Sequence, residues 1–256
     1  MNHEDKRARQ LAKIEAARRH TQQRLAEQQA RVDKRFDRMR ERLHEKYDKP
    51  SDSQQKIIDA ALELLKEDGL SNISLRKLAD RVHLKAPALY WYFKSKEELV
   101  DYMAEAILAR EFPEVEPRQD GQSWQDWLTD HMIRLRQSML TYPDGARTVA
   151  GAHLYPAVTL ARSFEAGLAS LSTAGINLKM ARQIMMTATN YTFGYVIEEQ
   201  AAPTPEQLAD FDLDAFLEPY PLMAEAIDEI DRGPAARDED FLRGLQYIIG
   251  GAGRAK

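Results

Sequence analysis

Between Ile57 and Ile107, apolar residues recur every three or four positions with polar residues between them, the pattern of helices that each bury one face. Ile57, Ile58, Ala61, Leu62 and Leu65 predict a helix over 54–67, entered through Pro50-Ser51-Asp52-Ser53 and stopped by Gly69, which can take the left-handed backbone that ends many helices. Leu75, Leu78, Ala79 and Val82 predict a second, short helix behind an N-cap at Ser74. His83-Leu84-Lys85 breaks the period. Ala86-Pro87 then opens another helix with Leu89 and Phe93 on its apolar side, because a first-turn N–H has no intrahelical partner for proline to remove. That helix carries Tyr90, Trp91 and Tyr92 in succession. Three adjacent aromatics cannot share one helix face, so at least one points outward. Ser95 with Glu98 predicts a capping box for a fourth helix over 96–110, buried through Leu99, Met103, Ala106 and Ile107.

Prolines, acids and a glycine between Phe112 and Gly121 mark a boundary. Helical patterns then resume over 123–142, with Trp124, Trp127, Leu128, Met132, Leu135 and Met139 on one side. Pro143-Asp144-Gly145 turns the chain into a short helical piece. Pro156 opens a helix to about Ala174, Gly175 stops it, and Asn177 caps a long apolar helix running from Leu178 to Gln200. Residues 201–221 read as loop-rich, followed by closing helices over 222–230 and from Asp240 to Ile249. No convincing strand occurs, so the expected fold class is all-α. Three parts are expected: 1–49, 50–110 and 111–256.

Charge changes the picture at the front. The chain carries a formal −5, but residues 1–49 hold fifteen Lys+Arg and nine Asp+Glu, a local +6; −5 less +6 leaves −11 for the rest. A basic front and an acidic back fit a protein whose N-terminal part meets phosphate. Residues 1–49 are poor in Gly and Pro and read as one long charged helix. Leu11, Leu25, Val32 and Met39 fall on a seven-residue grid that Arg18 and Lys46 interrupt. Three readings stay open there: a solvated charged helix, a coiled-coil extension, and an arm adding sequence-independent phosphate contacts. The absence of cysteine gives no disulfide framework, and no apolar run is long enough to span a bilayer, so a cytoplasmic, nucleoid-associated location is expected.

Small residues at a helix front, outward aromatics and flanking cations suit the recognition helix of a helix-turn-helix, whose N-terminal end reaches base edges while hydroxyls and ammonium groups hold phosphates. The signature Ile57 to Leu65, Gly69, Arg76-Lys77-Leu78-Ala79, Pro87-Ala88-Leu89-Tyr90-Trp91, Lys96 and Leu99 resembles the tetracycline repressor (TetR) family. The resemblance reaches into the C-terminal part through Ser123-Trp124-Gln125-Asp126, Asp144-Gly145-Ala146-Arg147, Thr192 to Glu198, and Phe241-Leu242-Arg243-Gly244-Leu245. It covers about residues 53–250 and leaves 1–49 unexplained. It implies a DNA-reading head, a connecting helix that moves when effector binds, and an effector domain. It also implies a homodimer through the helices from Leu178 to Gln200 and from Asp240 to Ile249, set on a double-stranded, palindromic operator.

On that basis the expected DNA-binding residues are Ser74, Arg76, Lys85, Ala86, Pro87, Ala88, Tyr90, Trp91, Tyr92, Lys94 and Lys96. Ala86 stands where family members that bind tetracycline carry a base-reading glutamine. Those members hold a magnesium–drug chelate between helices. Here the metal-binding histidine is matched by Val149, a ligand-contacting threonine by Ala152 and a drug-gripping amide by His131. Valine cannot coordinate magnesium, so the resemblance implies a retained pocket with a changed ligand and no metal or cofactor. The expected ligand set is His131, Leu135, Val149, His153, Phe164, Leu168, Met185, Met186, Thr189, Asn190 and Glu198. Core packing is the competing reading for most of these residues.

Among enzyme signatures, G-x-S-x-G, Walker, G-x-G-x-x-G and H-E-x-x-H motifs are absent. Glu198-Glu199 and Asp238-Glu239-Asp240 read as solvated helix ends. The expected function is a ligand-responsive repressor and not an enzyme. The alternatives are an architectural or scaffolding DNA-binding protein driven by the basic arm, and an enzyme using the helical pocket.

Overall fold

A computed structural model describes residues 50–252 except 114, 154–156, 205 and 229–232, together with positions 20, 23, 27, 30, 31, 34 and 38. The three readings of 1–49 otherwise lie outside the described residues. The seven described positions there are helical and exposed. The described residues contain helices and no strand, as the all-α expectation holds.

The head begins with α1 (Asp52–Asp68), which buries Ile57, Ile58, Ala61, Leu62, Leu64 and Leu65. A reciprocal capping box starts it at Ser51, within the expected entry segment. The Ser51 hydroxyl accepts from Gln54 N–H, and the Gln54 amide oxygen accepts from Ser51 N–H at 3.0 Å. Gly69 ends α1 at φ 74°. A 3₁₀ turn (Leu70–Asn72) leads to α2 (Leu75–Arg81), whose N-cap Ser74 accepts from Lys77 N–H. The break falls at His83, which sits in the left-handed region at φ 56°.

The next helix, α3 (Ala86–Leu89), is a single turn, and Tyr90 is already its C-cap. The predicted recognition helix is thus shorter than its pattern, and Trp91 and Tyr92 lie in the turn that follows. A helix N-capped by Ser95 starts four residues later and uses up the room. This is α4 (Lys96–Glu111). Its expected capping box is only half there. Ser95 accepts from Glu98 N–H, but the Glu98 carboxylate takes the N–H of Lys94 instead of that of Ser95.

The body contains α5 (Trp124–Leu140), α6 (Gly145–Ala150), α7 (Val158–Thr173) and α8 (Leu178–Ala201). They are followed by α9 (Leu213–Leu217), α10 (Pro221–Asp228) and α11 (Pro234–Ala252). The stretch 201–221 is loop-rich as expected, with the short α9 capped by Asp212, which accepts from Ala215 N–H. One expectation is corrected here. The last helix begins at Pro234, well before Asp240, because proline suits a helix's first turn.

One apolar core runs through head and body, from Leu78, Leu89, Phe93 and Leu99 through Ile107 and Phe112 to Leu128, Met139, Ala188 and Leu245. Each large side chain buried there contributes about 1.5–3 kcal/mol. The helix α4 packs on α1 from the head and on α5, α6 and α7 from the body, and so carries the junction.

Candidate functional site

The exposed face of the head is built by the α2–turn–α3 unit. Leu78, Ala79, Leu89 and Phe93 are buried and lock the unit against α1 and α4. The turn is held from behind as well, where the Gln54 side-chain amide donates to the Tyr92 carbonyl at 3.2 Å. What the locking leaves outside is Trp91, 89 % exposed, and Tyr90, 55 % exposed, while Tyr92 is half-buried. A rigid turn displaying a nearly bare tryptophan costs apolar hydration unless something covers it.

The cations of the head divide into two groups. Lys77 pairs with Asp68 at 3.3 Å, and Arg81 pairs with Glu67, whose carboxyl is held below its usual range by the Arg81 hydrogen bond. Arg76, Lys85, Lys94 and Lys96 pair with no acid among the described residues. Ser74, Arg76, Lys85, Pro87 and Lys94 are exposed. Ala86, Ala88 and Lys96 are half-buried. All eleven residues expected at this face lie between Ser74, the N-cap of α2, and Lys96, the first residue of α4.

The residues expected to line a pocket are spread more widely. His131 is buried on α5, with its Nε2 on the Ser163 hydroxyl of α7, its ring stacked on Trp127 at 4.7 Å and tilted against Phe112 at 5.0 Å. Burial pushes its pKa down to about 3, with the Arg134 charge adding to the shift, so the imidazole is neutral at physiological pH. Leu135, Val149 and Met185 are buried in the core, and Phe164, Leu168 and Thr189 are half-buried. Met186, Asn190 and Glu198 are exposed on α8. The helical period explains the split. These three lie on the side of α8 opposite Ala188, Thr192 and Val196, which are buried. The structure does not bring the eleven together around one cavity.

His153 lies elsewhere, at the head–body junction. It is exposed, while Asp101 on α4 is buried and accepts from both its N–H (2.9 Å) and its ring Nδ1 (3.2 Å). One turn further along α4, Glu105 accepts from the N–H and the hydroxyl of Thr159, each at 2.8 Å. Burial raises the Glu105 pKa, partly offset by those two bonds. Asp144 accepts from Leu70 N–H of the head at 3.0 Å. Lys66 and Arg110 lie over the Tyr142 ring at 5.2 and 5.6 Å. A cleft of about 390 Å³ lies here, bounded by Leu70, Ser71, Lys96 and Val100 on one side and Asp144, Arg147 and His153 on the other. It shares His153 with the expected ligand set and Lys96 with the expected DNA set.

One acid differs from its sequence reading. Glu199 is not a solvated helix end but is largely buried against Arg136, while Asp238, which also binds Arg136, stays exposed near the start of α11. Nothing local in the sequence marks Arg136, whose partners lie 63 and 102 residues away.

Against known proteins, residues 57–103 match the profile of bacterial regulatory proteins, tetR family, and residues 116–254 match the tetracyclin repressor-like C-terminal domain. The tetracycline repressor protein class A from transposon 1721 of Escherichia coli is 36% identical over 200 residues, 78% of this chain and 90% of that protein. A possible TetR family transcriptional regulator from Streptomyces coelicolor A3(2) superposes with a TM-score of 0.67 at 25% identity, covering 79% of this chain and 100% of that one. TetR (class A) in complex with 5a,6-anhydrotetracycline and magnesium superposes with a TM-score of 0.57 at 31% identity, covering 78% and 98%. The residues of this chain do not fit the magnesium of that complex. Val149, which the resemblance sets at the metal-binding histidine's place, is fully buried and has no donor atom. With a head and a body that each match their profile, this chain belongs to the TetR family of bacterial regulatory proteins.

Proposed function

We propose that the chain acts as a homodimeric transcriptional repressor that leaves a palindromic operator when a small organic effector binds. The carrying observation is the head's outer face, where Tyr90 and Trp91 stand exposed beside Arg76, Lys85, Lys94 and Lys96, which form no salt bridge among the described residues. Arg76, near the start of α2, suits a bidentate contact to guanine, and Pro87 and Ala88 suit methyl contacts to thymine. Ser74, Lys85, Tyr90, Trp91, Tyr92, Lys94 and Lys96 hold the DNA backbone, and Ala86 gives an operator different from that of members with glutamine there. Residues 50–110 form the head and 111–256 the body.

Two copies would place two heads on half-sites about one DNA turn, or a multiple of it, apart. The dimer reading is supported by apolar side chains left outside the single chain: Leu178 and Met186 on α8, Tyr247 on α11, and Phe211, Phe216 and Leu222 around α9 and α10. The effector enters the body near the neutral His131 and needs no metal, since Val149 supplies no ligand. It acts by binding one spacing of the heads better than the other, because equal affinity shifts nothing. This function requires a cytoplasmic protein on the nucleoid, and among the described residues no helix is long and apolar enough to cross a membrane.

Genomic footprinting with and without a small-molecule cell extract tests the reading. Protected inverted repeats that the extract releases are expected. Protection without sequence preference, abolished by deleting residues 1–49, would favour an arm-driven architectural protein.

A further inference from the structure

A buried cation joins three helices of the body. Arg136 of α5 donates Nε and Nη2 to the two carboxylate oxygens of Glu199 on α8, at 3.0 and 2.9 Å. Its Nη1 donates to Asp238 on α11 at 2.6 Å. The guanidinium also lies over the rings of Phe241 on α11 and Tyr195 on α8, at 5.3 and 5.8 Å. Burial alone would lower its pKa, but the Glu199 and Asp238 bonds outweigh that and raise it, so the group stays charged.

The same seam carries two more directional contacts. The hydroxyls of Tyr191 and Tyr195 on α8 donate to the Phe241 and Arg237 carbonyls of α11, at 3.0 and 2.7 Å. Gly244 of α11 lies so close to the Tyr191 hydroxyl that any Cβ there would collide with it. Every polar contact in the seam therefore fixes an angle, whereas Phe241 and Leu245 alone would fill space without specifying one.

The outer faces of the same two helices are uncovered. Met186 and Asn190 are exposed on α8, as are Arg243 and Tyr247 on α11. A planar fork bound on both prongs tolerates little rotation, and a point charge such as an ammonium cannot replace it. An apolar side chain often matches a buried ion pair in stability but carries no such direction.

We propose that Arg136 is the positioning residue for the two-copy interface. By fixing the crossing of α11 on α8, it sets the shape of the surface that these helices present to a second copy. The proposal rests on the dimer reading above.

Three full-length variants, Arg136→Met, Arg136→Lys and the pair Arg136→Met with Glu199→Leu, separate direction from stability. The dimer dissociation constant comes from sedimentation and the melting temperature from circular dichroism. The paired variant removes the buried charges together, so it is expected to melt close to the wild type while its dimer dissociation constant rises at least tenfold. Arg136→Lys keeps the charge and is expected to show a comparable loss, which also decides the matter if the paired variant fails to fold. A paired variant or Arg136→Lys that dimerises like the wild type overturns the proposal and leaves the dimer reading standing. A wild-type protein that stays monomeric overturns both.

Discussion

The head and the body place their polar chemistry in opposite ways. In the head, the buried residues of α1, α2 and α3 are all apolar, and Arg76, Lys85, Lys94, Tyr90 and Trp91 stand outside. In the body, His131, Arg136, Ser138, Thr148, Thr159, Ser163, Ser170 and Thr192 are all buried. The head is a packed scaffold with a chemically active skin. His131 ties α5 to α7, Arg136 ties α5 to α8 and α11, and Thr159 ties α7 to α4, whereas Ser138 and Thr148 bond carbonyls of their own segment. Substitutions on the head's face should then change binding and spare stability, while substitutions at the body's buried polar groups should change stability first.

The largest effect expected on that contrast is from Glu199→Ala. It leaves the buried Arg136 charge with only Asp238, and urea unfolding should show a loss of about 3–5 kcal/mol. Next comes acid. From its free value of 6.5 down to about 3, the unfolded chain holds a proton on His131 that the folded chain refuses. Folding stability therefore falls as pH drops through that window and is recovered above it, by about a few kcal/mol in total. A His131→Gln variant should flatten the melting temperature between pH 6.5 and 4. If the slope survives, another group carries it.

On the head, Arg76→Ala should cost about 1–3 kcal/mol of operator affinity, relax sequence preference at one base pair and leave the melting temperature unchanged. Lys96→Ala should weaken all sequences alike and lower the slope of log affinity against log salt by about 1. A wild-type slope would remove Lys96 from the DNA face. The smallest effect belongs to Ser51→Ala, which removes the α1 cap and should cost about 1 kcal/mol with no change in operator preference.

The same contrast governs how much the chain revealed before its structure. The head's helices rest on signals within a few residues of each other: Ser74 before Leu75 and Leu78, Gly69 after Leu65, Ala86-Pro87 before Leu89. Caps and periods of that kind act locally and read directly. The one-turn length of α3 did not read, because Phe93 continues the apolar spacing although its backbone has left the helix. In the body, α5 and α8 were legible as apolar periods, but their partners were not. Arg136 looks like any surface arginine until Glu199 and Asp238 arrive from far along the chain. Met185 and Met186 look interchangeable in sequence, yet one is buried and the other exposed. Placing His153 at the junction required knowing that Asp101 meets it there.

Asp101 and Glu105 on α4 each take one main-chain N–H and one side-chain donor, Asp101 from His153 between α6 and α7 and Glu105 from Thr159 in the first turn of α7. The main-chain half of that grip does not depend on which side chains those positions carry. Substitutions at His153 and Thr159 therefore leave two tie points between α4 and the body in place.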